Sequence, residues 1–223
     1  MNARLFLSLA SILALALPSS ASPTTPKGHL IIHGGGALTS DVIDRFIELG
    51  GGKNGHLVYV PTSLEDEPAA ELQAVPHYLR PQAFGTVTVL HTRDPKIANS
   101  DAFIAPLQTA TAVWFSGGRQ WRTMDAYLQT KTADAFHAVY HRGGVMAGTS
   151  AGATVQGSYL VRGATEGNHI MMAPGHEEGF GFLPEPCARA AVARGQLVIR
   201  EVEEHKPEET FWLAWRTGEE GAA

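Results

Sequence analysis

One stretch of the 223 residues has the residue types and spacing of a nucleophile: Gly148-Thr149-Ser150-Ala151-Gly152-Ala153. It follows an apolar run, Gly144 to Ala147, and leads into a helix-compatible segment, the setting in which a G-x-S-x-G turn presents its serine. Flanking glycines permit a tight strand-to-helix turn with Oγ exposed, and the helix start behind it favours developing negative charge. The amide of Ala151, directly after the serine, is then placed to donate to an oxyanion. A second donor would come from a neighbouring Gly-rich turn, for which Gly117-Gly118 is the natural source. A phosphate-binding turn, or a merely tight one, is the other reading of these residues.

Such a turn needs strands and helices to hold it. Apolar runs of strand length occur at 29–33, 56–60, 86–90, 112–115 and 144–147. Segments with helical spacing separate them, at 38–49, 64–79, 97–107, 121–129 and 133–142, with Thr39, Ser40 or Asp41 as N-caps for the first. Short apolar strands alternating with helices predict an α/β fold: a three-layer, doubly wound, mostly parallel sheet carrying a nucleophile elbow. In such sheets chemistry sits at the carboxyl ends of the strands. Three Gly-rich turns fall there, at 34–36, 117–118 and 148–152.

Composition narrows the classes. With 17 Lys+Arg against 22 Asp+Glu and a net charge of −5, the chain is a poor candidate for binding nucleic acid through phosphates. A hydrophobic fraction of 44% argues against disorder, and the lone Cys187 excludes a disulfide framework within the chain. No His, Cys, Asp and Glu set has metal-ligand spacing, and serine chemistry needs no metal or other cofactor. Residues 1–21 read as a signal peptide: Arg4, an apolar stretch from Leu5 to Leu17, and small residues in Pro18-Ser-Ser-Ala21 before a cleavage site. The apolar stretch is short for a bilayer span, so the expected destination is secreted or periplasmic.

Several further motifs accompany the elbow. Phe115-Ser-Gly-Gly-Arg-Gln120, Ala147-Gly-Thr-Ser-Ala-Gly-Ala153 and Gly179-Phe-Gly-Phe-Leu-Pro184 resemble, in this order, the cyanophycinase branch of the S51 serine peptidases. Gly34-Gly-Gly-Ala-Leu38 and Val60-Pro-Thr-Ser63 fit the same pattern, so the resemblance runs from about Gly28 to Pro184. It implies a class I glutamine-amidotransferase-like fold and exopeptidase activity through an acyl-enzyme. Carried onto this chain, Ser150 is the nucleophile, Gly118 and Ala151 are oxyanion donors, and Gln120 contacts substrate. The implied partners are peptides, with cyanophycin or β-aspartyl dipeptides as candidates; a homodimer is one assembly open to the chain. Residues 22–184 form the implied cyanophycinase-like domain.

The pattern breaks at residue 185. The family continues with an Asp-Gln-His segment whose histidine is the general base; aligned on Ala193-Arg194, those positions here are Ala188, Arg189 and Ala190. Alanine cannot accept a proton, and a serine without a base is a poor nucleophile near neutral pH. The family's acid-bearing turn has no match beyond a trace in Glu219-Glu220-Gly221. Charge shifts at nearly the same place: 13 of the 43 residues from 181 onward are charged, which fits a replaced or truncated segment over 185–223. His176, beside Glu177 and Glu178, is the candidate substitute base, with a plain polar loop histidine as its other reading; His169 and His205 have weaker claims. Two alternatives stand beside the peptidase. One is a catalytically impaired binding protein on the same fold. The other is an α/β-hydrolase esterase, from His33-Gly-Gly-Gly36 with the later G-x-S-x-G, although only 73 residues remain after Ser150 for its acid and histidine.

Overall fold

The computed structural model describes residues 27–64, 75–160, 163–167, 169–170, 173–183, 197–198 and 213–215. The predicted signal peptide, the segment aligned with the family's base (188–190), Cys187 and His205 lie outside the described residues. The elements in chain order are β1 (His29–His33), α1 (Ser40–Leu49), β2 (His56–Val60), β3 (Thr86–Val89), α2 (Pro95–Ala98), α3 (Asp101–Ile104) and β4 (Ala112–Phe115). They continue with α4 (Gln120–Tyr127), α5 (Lys131–His141), β5 (Val145–Thr149), α6 (Ala151–Thr154), β6 (Leu197–Val198) and β7 (Leu213–Trp215). The sheet order is β3-β2-β4-β5-β1-β7-β6. The first five are parallel, as expected. β7 runs antiparallel beside β1, and β6 beside β7, so the backbone of Trp215 pairs with that of Ile31.

Strand alternation divides the core into two layers. Leu30, Ile32, Val58, Val60, Val113, Phe115 and Met146 face one side, where Met124, Tyr127, Phe136, Val139 and Ala153 of the helices cover them. Ile31, Leu57, Tyr59, Trp114, Val145 and Ala147 face the other side, under Ile43 and Phe46 of α1. A helix on each face of a parallel sheet leaves its strands buried on both sides, which is why they are nearly continuous apolar runs. Phe46 meets the edge of Trp114 at 5.0 Å, and Phe115 meets Phe136 at 5.0 Å in the same manner.

Two helical expectations are corrected. The segment over 97–107 splits: Ser100 caps α3 through the Phe103 amide, and a 3-10 turn starting at Ala105 takes in Pro106. Proline lacks the N–H that would continue an α-helix. Similarly, Pro76 leads into a short 3-10 turn over His77–Leu79, so the end of the 64–79 segment is not α-helical. Thr39 is the N-cap residue of α1, without a side-chain capping bond.

Three histidines are built into this frame in partly buried positions. The His56 ring is held by the hydroxyls of Thr88 and Thr109, both at 2.9 Å, and His137 Nε2–H donates to the Phe180 carbonyl at 2.8 Å. His33 bonds Thr149 Oγ1 through Nδ1 at 3.0 Å. Burial lowers the pKa of all three below the ordinary histidine value. The unfolded chain therefore binds protons near pH 6.5 that the folded chain excludes, and stability falls as pH drops through that range. The urea midpoint should accordingly rise from pH 5 to pH 7, and His56→Gln should shrink that rise; equal midpoints at the two pH values would contradict the assignment.

Candidate active site

Parallel strands place their carboxyl ends along one edge, and that edge gathers residues distant in sequence. β5 ends at Thr149, Ser150 follows, and α6 begins at Ala151. Ser150 has φ 53° and ψ −116°, a conformation rare for any residue but glycine. Such a residue costs of order 1–3 kcal/mol and persists only where its surroundings impose it. Here the constraint is steric. A Cβ on Gly148 would collide with the Gly152 carbonyl, and a Cβ on Gly152 with the Phe115 carbonyl at the end of β4. The chain turns from strand to helix in too little room for side chains on either flank. The serine between them is exposed.

The neighbouring strand ends complete the surroundings. After β4, the Gly117-Gly118 turn passes directly over the serine: a Cβ on Gly117 would sit 3.5 Å from Ser150 Cβ. Gly118 has φ 125° and lies against the Ser63 carbonyl after β2, which the Arg119 amide also contacts at 2.6 Å. Any other residue at 118 would be strained and would strike that carbonyl. On the opposite side of β5, the end of β1 meets the elbow: the Ser150 amide donates to the His33 carbonyl at 2.9 Å.

The structure thus brings together Ser150, Ala151 and the turn containing Gly118. Ala151 opens α6, where helix amides lack intrahelical acceptors. Gln120 begins α4 two residues beyond Gly118, with only 7% of its surface exposed. His176 lies elsewhere. Its Nδ1 faces Asp125 Oδ1 at 3.5 Å, and both line a cavity of about 410 Å³ with Met124, Gln129, Glu177 and Glu178. Burial raises the Asp125 pKa, and His176 opposes that shift. Among the described residues no hydrogen bond or ion pair joins His176 to Ser150. His169 is exposed, and the described residues hold no group of three His, Cys, Asp or Glu fit for a metal. No helix among them is long and apolar enough to cross a membrane.

Sequence reasoning placed His33 only in the His-Gly-Gly-Gly stretch of the esterase alternative and Thr149 only beside the elbow serine, and gave neither side chain a role. The available signal was position: a histidine as the last residue of an apolar strand, just before a Gly-rich turn, falls on the carboxyl edge.

A parallel-sheet α/β core with a strained serine at a strand-to-helix elbow defines the class of protein. The particular family follows from sequence: the model of peptidase family S51 matches residues 30–189, and the chain belongs to that family. Among solved structures, the chain is similar to a peptidase from an acI-B1 Actinobacterium, at 21% identity and a TM-score of 0.56. That match covers 72% of this chain and 66% of the other, slightly under two thirds of its length. It is also similar to a protein assigned as a peptidase E from Listeria monocytogenes EGD-e, at 15% identity and a TM-score of 0.50, covering 70% of this chain and 75% of that one. At these identities the likeness is one of fold. No curated protein matches the chain.

The close approach at the elbow is testable. Gly152→Ala should destabilise the protein by about 1–3 kcal/mol through overpacking. Gly117→Ala, whose methyl would make only ordinary contacts, should stay within about 0.5 kcal/mol of wild type. Urea unfolding of both variants decides it, and equal stabilities would refute the steric account.

Proposed function

We propose that this S51 member is a serine-type exopeptidase of the cyanophycinase-like kind, hydrolysing β-aspartyl-type peptide bonds through an acyl-enzyme on Ser150. The observation that carries the proposal is the strained, exposed Ser150 at φ 53°, with the Gly117-Gly118 turn packed over it. Strain of this kind is kept where a backbone must aim one side chain. In the proposed reaction Ser150 Oγ attacks the scissile carbonyl carbon. The carbonyl oxygen gains negative charge and is held by the amides of Gly118 and Ala151. Collapse of this intermediate breaks the C–N bond and releases the amine; water then hydrolyses the ester to regenerate the serine. Donors fixed by the fold need no reorganisation as charge develops, which is where such sites gain most of their rate.

Gln120, in the sequence Gly117-Gly-Arg-Gln120, is the proposed substrate contact and the feature that favours cyanophycinase-like over aspartyl dipeptidase specificity. Being so buried, it would meet substrate only through its amide tip. His176, the base suggested by sequence, would need a route to Ser150 other than its present pairing with Asp125. Export of residues 22–223 after removal of the leader belongs to the same proposal.

A second reading, a binding protein that keeps the fold without turnover, is favoured by one observation: Ala190 stands where the family has its basic histidine. Incubating the purified protein with a fluorophosphonate, and separately with β-aspartyl dipeptides and cyanophycin, distinguishes the two. The peptidase reading expects label on Ser150, turnover of at least one substrate, and a loss of about 10³-fold or more in Ser150→Ala. Absence of both label and turnover would leave the binding reading. Hydrolysis of short-chain esters with none of peptides would point to an esterase.

A further inference from the structure

We propose that His33 is the proton acceptor for Ser150, in place of the histidine that the family carries at the position of Ala190. This rests on Ser150 being a nucleophile. β5 has two neighbours, and they bring opposite chemistry to its end. β4 contributes the Gly117-Gly118 turn, a source of backbone donors. β1 contributes His33, which pairs in register with Thr149. The serine's backbone therefore lies between the turn after β4 and the strand end that carries His33. In the proposed reaction these take the two roles acyl transfer requires, oxyanion donor and proton acceptor.

Local bonding holds this arrangement. The His33 carbonyl accepts from the Ser150 amide at 2.9 Å, tying the base-bearing strand to the nucleophile's own backbone. By strand alternation, His33 shares the sheet face of Ile31, and Thr149 that of Val145 and Ala147. The two side chains meet there: His33 Nδ1 lies 3.0 Å from Thr149 Oγ1. With Nδ1 protonated and donating to that hydroxyl, Nε2 keeps its lone pair, the tautomer a general base needs. Partial burial disfavours the imidazolium and keeps the ring ready to accept a proton at neutral pH.

The step balances within the site and the peptide. As Ser150 Oγ bonds to the carbonyl carbon, its proton passes to His33 Nε2 and the carbonyl π pair moves to oxygen. On collapse, the C–N bond breaks and Nε2–H gives the proton to the departing amine. A water then attacks the ester with the same ring as acceptor, and the proton returns to Ser150 Oγ.

The test compares fluorophosphonate labelling rates. His33→Asn places an amide where Nδ1 stood, keeping a partner for Thr149 while removing Nε2. It should fold, by circular dichroism, and label at least about 100-fold more slowly than wild type. Added imidazole should restore labelling in His33→Ala, a response that a purely structural histidine would not give. Should the Asn variant fail to fold, His33→Gln serves the same comparison. A wild-type protein that labels, with folded His33 variants within about threefold of it, overturns the proposal and leaves the Ser150 reading intact. Loss on His176→Ala with the His33 variants unaffected would transfer the role to His176. A wild type that does not label overturns both readings.

Discussion

The site depends on how closely α6 approaches the end of β4. Gly152 has no room for a side chain against the Phe115 carbonyl, and Gly148 none against Gly152. That contact forces the chain to turn within one residue, and Ser150 absorbs the strain at φ 53°. Only a sheet whose central strands are buried and fixed on both faces can hold such a turn. The two apolar layers, on either side of Trp114 and Phe115, supply that rigidity.

The Gly179-Phe-Gly-Phe182 motif takes a structural part within this frame. Phe180 packs against Phe115 at 5.6 Å and Phe136 at 5.4 Å, and Phe182 lies 4.8 Å from the His137 ring. His137 also binds the Phe180 carbonyl. The motif locks the segment after α6 onto α5. The family match ends at residue 189, a few residues later and one short of Ala190. The motif also bears on the elbow, since Phe115 belongs to both the aromatic cluster and the strand that Gly152 abuts.

The parallel strands were legible because both faces are buried, which leaves short apolar runs that few other structures produce. The elbow was legible because close backbone approach admits only glycine, so sterics write themselves directly into the sequence. The helices were less so: Pro76 and Pro106 interrupt apolar spacing that continues across them, and spacing alone does not register a missing N–H. His176 looked suited to catalysis from its acidic neighbours in sequence, yet its partner is Asp125, fifty-one residues earlier on α4.

By itself, then, the sequence determined the fold class, the family and the serine, because buried strands and collision-limited glycines leave local signatures. Tertiary structure alone decided which groups surround Ser150. That β1 rather than another strand lies beside β5 is a matter of sheet order, and sheet order is set by non-local packing that no short stretch records. It carries His33 to the strand position beside Thr149, next to Ser150 and 117 positions before it in the chain.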